Sequence, residues 1–98
     1  MDYENPNLAP IIEMIERKLN EIRVAQKPIM SVEDLSTYLD LSPAYIRKMT
    51  HNREIPHYKP NGKKLYFRKD EIDEWVLSSR VMTAEELRRE ARKRVKSL

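Results

Sequence analysis

Eight cationic side chains crowd the middle of this chain: Arg47, Lys48, Arg53, Lys59, Lys63, Lys64, Arg68 and Lys69. Between Ser42 and Lys69 they face a single acid, Glu54, a balance of +7 in a chain whose total is +3. Charge segregated this strongly makes a local positive field, and phosphate is its commonest target. Two groups stand out. Tyr45, Arg47, Lys48 and His51 share one face of a predicted helix. Arginine can read guanine edges in a major groove, while lysine and tyrosine can hold phosphates. A helix entering the groove N-terminus first would lead with Pro43, Ala44 and Tyr45. Lys59, Lys63 and Lys64 flank Asn61-Gly62, the strongest short hairpin signal. A hairpin centred on that pair sets Tyr58 against Leu65 and Pro56 against Phe67 on one face. On the other it sets Lys59 against Lys64 and His57 against Tyr66. Like charges directly opposite destabilise a hairpin, so an anion between them is expected. The competing account is a solvated edge kept positive to block strand pairing.

Other chemistries fit less well. His51 and His57 are the only histidines and cysteine is absent, so a metal site lacks ligands. The acids at Glu33, Asp34, Asp70, Glu71, Asp73 and Glu74 fall at helix starts and solvent faces, where capping explains them. No glycine-rich phosphate loop and no Ser–His–acid arrangement stands out. The expectation is a protein that is not an enzyme and takes no cofactor. Phe67 and Trp75 fall at inward positions, with Tyr66 at the edge, which argues against a stacking platform for single strands or RNA.

These groups need elements to hold them. Ser31 and Asp34 have capping-box spacing ahead of a helix with Val32, Leu35, Tyr38 and Leu39 on one stripe. Asp40-Leu41-Ser42 breaks that helix for three residues, the length of a helix-turn-helix turn. Ser42 caps the next helix and Pro43 takes its first position. That helix runs to about Asn52, with Ile46 and Met49 inward and Leu41 and Ile55 closing its ends. Pro60 cannot donate a ladder bond, which leaves room for a wing loop wider than two residues. A fourth helix starts near Lys69, with Ile72, Trp75 and Val76 inward. A last one starts at Thr83 and Glu86, with Leu87, Ala91 and Val95 recurring every fourth residue.

The N-terminal segment carries Leu8, Ile12, Ile15, Leu19 and Ile22 at alternating steps of four and three, a heptad seam. Asn7 is the expected cap, and Pro10 falls in the first turn. Two readings stay open, a helix packed on its own domain and self-association of the chain. An antiparallel pair would bring Glu16 near Arg23. Gln26-Lys27-Pro28 reads as a linker.

At 98 residues, 40% hydrophobic and 36% charged, the chain suits one small, mainly helical domain with a thin core. The segmentation read from it is 1–28 as an N-terminal helix, 29–80 as a DNA-binding unit and 81–98 as a basic C-terminal helix. No apolar run approaches membrane-spanning length, and the N-terminus lacks the pattern of a secretory signal. A cytoplasmic location with no membrane partner is expected.

The run Ser31-Val32-Glu33-Asp34-Leu35, Leu39-Asp40-Leu41-Ser42, Ile46-Arg47-Lys48-Met49, Glu54-Ile55-Pro56, Leu65-Tyr66-Phe67 and Ile72-Asp73-Glu74-Trp75 resembles the excisionase-type helix-turn-helix domains. These are winged-helix relatives of the mercury-resistance regulators, and the likeness covers about Ile29 to Leu77. The flanked wing looks like the small versions on bacterial mobile elements. The resemblance implies a mainly α winged helix-turn-helix with a two-stranded wing and flanking helices. It implies binding and bending of double-stranded DNA, with cooperation with a tyrosine recombinase in excision, or transcriptional control. It carries helix contacts onto Ala44, Tyr45, Arg47, Lys48 and His51, and wing contacts onto Lys59, Asn61, Gly62, Lys63 and Lys64. Two positions where the family often has glycine hold Asp40 and Arg53 here. Aspartate tolerates the left-handed conformation, and Arg53 adds a candidate phosphate contact or reshapes its turn. A protein-interaction adaptor, docking a recombinase through the flanking helices, is the alternative function.

Overall fold

The computed structural model describes residues 7–96. In chain order these form α1 (Ala9–Ala25), β1 (Ile29–Met30), α2 (Val32–Leu39), α3 (Pro43–His51), β2 (Phe67–Arg68), α4 (Lys69–Ser78) and α5 (Ala84–Lys96). The architecture is a mainly helical winged helix-turn-helix with flanking helices.

Local chemistry explains most boundaries. Ser31 Oγ accepts from the Asp34 N–H, and the Asp34 carboxylate accepts from the Ser31 N–H, a complete capping box for α2. The α2–α3 turn closes on Asp40, which is left-handed at φ 55°. Ser36 reaches over that turn and donates its hydroxyl to the Leu41 carbonyl at 2.6 Å. Ser42 Oγ then accepts from the Tyr45 N–H to start α3, with Pro43 in the first turn.

The core gathers Val32 and Leu35 of α2, Ile46 and Met49 of α3, Ile55, Phe67 of β2, Ile72 of α4, Met30 of β1 and Val24 of α1. Tyr38, Leu39, Leu41, Leu65 and Trp75 pack around it. Trp75 also donates its indole N–H to the Glu54 carbonyl at 2.9 Å, tying α4 to the segment leaving α3. Val76, expected inward, is 45% exposed. It lies beside the Trp75 face of α4 and only that face meets the core.

Four expectations need correction. The N-cap of α1 is Leu8 and makes no side-chain cap, so Asn7 does not hold that role. The linker continues into a strand: β1 pairs antiparallel with β2, Met30 opposite Phe67 and Ile29 opposite Arg68. Phe67 therefore has a partner other than Pro56. The wing closes one residue wider than expected, with Tyr58 opposite Tyr66, both N–H···O bonds at 2.8 Å. Pairing of Tyr58 with Leu65, of His57 with Tyr66 and of Lys59 with Lys64 is therefore out of register. Pro60 has no N–H to give, and the Gly62 N–H bonds instead to the Lys59 carbonyl at 3.0 Å. Finally, the α1 seam does not pack on its own domain. Ile15, Leu19 and Ile22 are 50–61% exposed, and Val24, off the seam, is the one α1 residue buried. α5 likewise leaves Leu87 and Val95 exposed.

Candidate nucleic-acid interface

The outer face of α3 presents Pro43, Ala44, Tyr45, Arg47, Lys48 and His51, all exposed, while Ile46, Met49 and Thr50 are buried beneath them. Thr50 spends its hydroxyl on the Arg47 carbonyl at 2.8 Å, so it satisfies itself locally. The wing folds back toward this face. A cleft of about 340 Å³ is lined by Arg47, Thr50 and His51 from α3 and by His57, Lys59, Lys63 and Leu65. A second, of about 250 Å³, brings Val32, Glu33 and Arg47 against Lys63, Lys64 and Leu65. Arg47 belongs to both, so α3 and the wing form one continuous cationic surface. Asn61 and Gly62 sit exposed in the wing loop, with Gly62 at φ 68°. Arg53 stands exposed in the turn after α3, itself left-handed at φ 56°.

Ion pairing divides the eight cations. Arg68 lies 2.8 Å from Asp70 and 3.8 Å from Glu71, and Lys69 lies 2.9 Å from Asp73. Asp70 beside Arg68 holds that guanidinium protonated, and the Asp73 hydrogen bond does the same for the Lys69 ammonium. Arg47 is 3.6 Å from Glu33. Lys48, Arg53, Lys59, Lys63 and Lys64 form no ion pair with any described residue. Lys64 rests its ammonium 5.7 Å from the Tyr66 ring centroid. The unpaired charge thus lies on α3, its following turn and the wing, while the charge at the start of α4 is neutralised within the fold.

The wing base is braced against α4. The Tyr58 hydroxyl donates to the Glu71 carboxylate, which pushes the Tyr58 phenol above its usual range. Phe67 is fully buried under the sheet. The cationic loop therefore stands on a base fixed at Tyr58, Tyr66 and Phe67. His57 enters the cleft beside Lys59, with which its place in the sequence already grouped it on one face of the hairpin.

A helix-turn-helix whose second helix joins a basic wing defines a DNA-binding class of protein. Residues 29–80, more than half of the chain, match the family described as helix-turn-helix domain, and the chain belongs to that family. No curated protein and no solved structure matches it. No helix among the described residues is long and apolar enough to cross a membrane.

Proposed function

We propose that this protein binds double-stranded DNA, with α3 in the major groove and the wing on the flanking backbone. The observation that carries the reading is the continuity of Arg47 with Lys59, Lys63 and Lys64 across the two clefts, with no carboxylate but Glu33 lining them. On α3, Tyr45, Arg47, Lys48 and His51 are placed for base edges and phosphates, with Pro43 and Ala44 leading. Arg53, Asn61 and Gly62 extend the backbone contact at either side. The biological role that fits is an excisionase-like accessory or regulatory protein of a bacterial mobile element. It would position and bend DNA for a tyrosine recombinase or for transcriptional control.

A second reading has an observation of its own. Leu8, Ile15, Leu19 and Ile22 of the α1 seam and the Leu87, Ala91 and Val95 stripe of α5 stay exposed, which suits docking of a protein partner, a recombinase or a second copy. The two readings are compatible in one molecule, with 29–80 as the DNA-binding unit and the segments 1–28 and 81–98 as the docking elements.

The test is binding to duplex DNA across a salt series, comparing wild type with Lys59→Glu/Lys63→Glu. Each phosphate contact contributes about 0.9 to the slope of log affinity against log salt, so wild type should weaken steeply as salt rises. The variant should lose most of its affinity while keeping its helical circular dichroism. A folded wild type that binds no duplex at low salt would sink the reading and leave the docking helices as the functional elements.

A further inference from the structure

We infer that His57 is a phosphate-contacting residue of the cleft between α3 and the wing, and that it takes up a proton when DNA binds. The inference rests on the DNA-binding reading and adds a residue and a proton linkage to it. The His57 Nδ1 lies 2.8 Å from the Ile55 carbonyl oxygen. A carbonyl only accepts, so Nδ1 carries the hydrogen. In the neutral ring this leaves Nε2 as a bare acceptor. His57 is half-buried and lines the cleft with Arg47 and His51 of α3 and Lys59 and Lys63 of the wing. The carboxylate that reaches this surface, Glu33 of α2, is already held against Arg47 at 3.6 Å.

A phosphate oxygen drawn in by Arg47, Lys59 and Lys63 is itself an acceptor, so it opposes the neutral Nε2 lone pair. Protonation at Nε2, by a proton from solvent, turns that lone pair into an N–H donor aimed at an acceptor. The imidazolium then adds a charge-assisted hydrogen bond. Arg47, Lys59 and Lys63 bring the anion into the cleft that His57 lines, so the proton uptake is conditional on the anion. His51 is exposed on α3 and makes no hydrogen bond among the described residues that fixes its tautomer, so it lacks this arrangement.

The experiment measures affinity of the full chain for a mixed-sequence duplex at constant ionic strength, from about pH 5.5 to about pH 8, the range in which histidine titrates. Wild type, His57→Asn and His51→Gln are compared. Asparagine keeps an N–H where Nδ1 donates to Ile55 and removes Nε2. Linkage of one proton limits the change to tenfold per pH unit, and wild type should weaken by about tenfold over the range. His57→Asn should bind at every pH about as wild type binds at the alkaline end, and His51→Gln, which removes a proposed α3 contact, should weaken binding by the same factor at every pH and so keep the wild-type slope. Titration calorimetry of wild type in buffers of different ionisation enthalpy should independently show net proton uptake. Binding by wild type that is flat with pH, or a profile that persists in His57→Asn or vanishes in His51→Gln, overturns the inference and leaves the DNA-binding reading standing. Zero proton uptake by calorimetry overturns it even if the asparagine variant fails to fold. Absence of duplex binding at every pH overturns both.

Discussion

The Glu33 carboxylate, on the first turn of α2, stands 3.6 Å from the Arg47 guanidinium on the outer face of α3. Both side chains are more than half exposed, so the pair adds little to stability. Its consequence is electrostatic: one acid sits inside the surface proposed to meet phosphate, and it holds one end of the arginine best suited to reading a base. Glu33→Gln removes a repulsive charge and releases Arg47. The variant should bind mixed-sequence duplex about two- to fivefold more tightly at low salt, the scale of an exposed ion pair. Discrimination between a preferred site and mixed sequence should shrink, because a freed arginine is less oriented. Competition binding against unlabelled duplex reads both effects.

Arg53 occupies the left-handed region at φ 56° in the turn after α3. A side chain there costs about 1–2 kcal/mol, and the greater unfolded-chain entropy of glycine would offset about 0.5–1 kcal/mol of the gain from removing it. Arg53→Gly should therefore stabilise the fold by about 0.5–1 kcal/mol, a rise in Tm of several degrees for a domain of this size. The same change should weaken duplex binding and lower the salt slope by about one contact. Thermal unfolding and the salt series together separate the two roles. Stability gained with no loss of affinity would remove Arg53 from the interface.

Acid pH should loosen the contact between α2 and α4. The Tyr38 hydroxyl and the Lys69 ammonium both donate to Asp73, the latter at 2.9 Å, and Lys69 also lies over the Tyr38 ring. The Tyr38 hydrogen bond first, then Lys69, hold the Asp73 carboxyl below the usual carboxylate range. A depressed folded value means its stabilisation is complete above the unfolded value of about 3.9 and is lost as pH falls through the folded one. Asp34 is depressed too. Burial pushes it up, but the Ser31 N–H and Lys27 outweigh that. Wild type should therefore lose stability steadily below about pH 4, and Asp73→Asn should show a shallower decline from a lower starting point. Urea midpoints at a series of pH values test this.

Features that depend on neighbours in sequence were legible. Ser31 with Asp34, Ser42 with Pro43, and Asp40 in the turn are local hydrogen-bonding and backbone choices, and each appears as its residue type dictates. Features set by distant parts of the chain were not. Two residues, Ile29 and Met30, are too short to show a period, so their pairing with Phe67 and Arg68 left no trace. The wing register turned on whether Pro60 forced a wider loop, and a shift of one residue exchanged the partners of every side chain. That shift separates Lys59 from Lys64 as a facing pair, and the two line different clefts, each beside Arg47 and Lys63, so a phosphate would be held by Lys59 with Lys63 and Arg47 rather than between Lys59 and Lys64. Of the α1 seam, periodicity gave the apolar face but could not say that nothing in the fold covers Ile15, Leu19 and Ile22.

The buried Val24 divides α1 into a part the fold uses and a part it does not. Val24 is 2% exposed within the core cluster, whereas residues 9–19 bury nothing fully. Deleting residues 1–19 should leave Tm and the slope of DNA affinity against salt essentially unchanged. Deleting residues 1–27 removes Val24 and also the Lys27 ammonium, which lies 3.1 Å from the Asp34 carboxylate that completes the α2 capping box. Full burial of an aliphatic side chain contributes about 1.5–3 kcal/mol, so the longer deletion should lower stability by at least that much and weaken DNA binding only as far as the fold itself loosens. Urea unfolding and duplex titration of the two truncations distinguish these outcomes. A shorter deletion that abolished DNA binding would place α1 in the interface and overturn its assignment as a docking element.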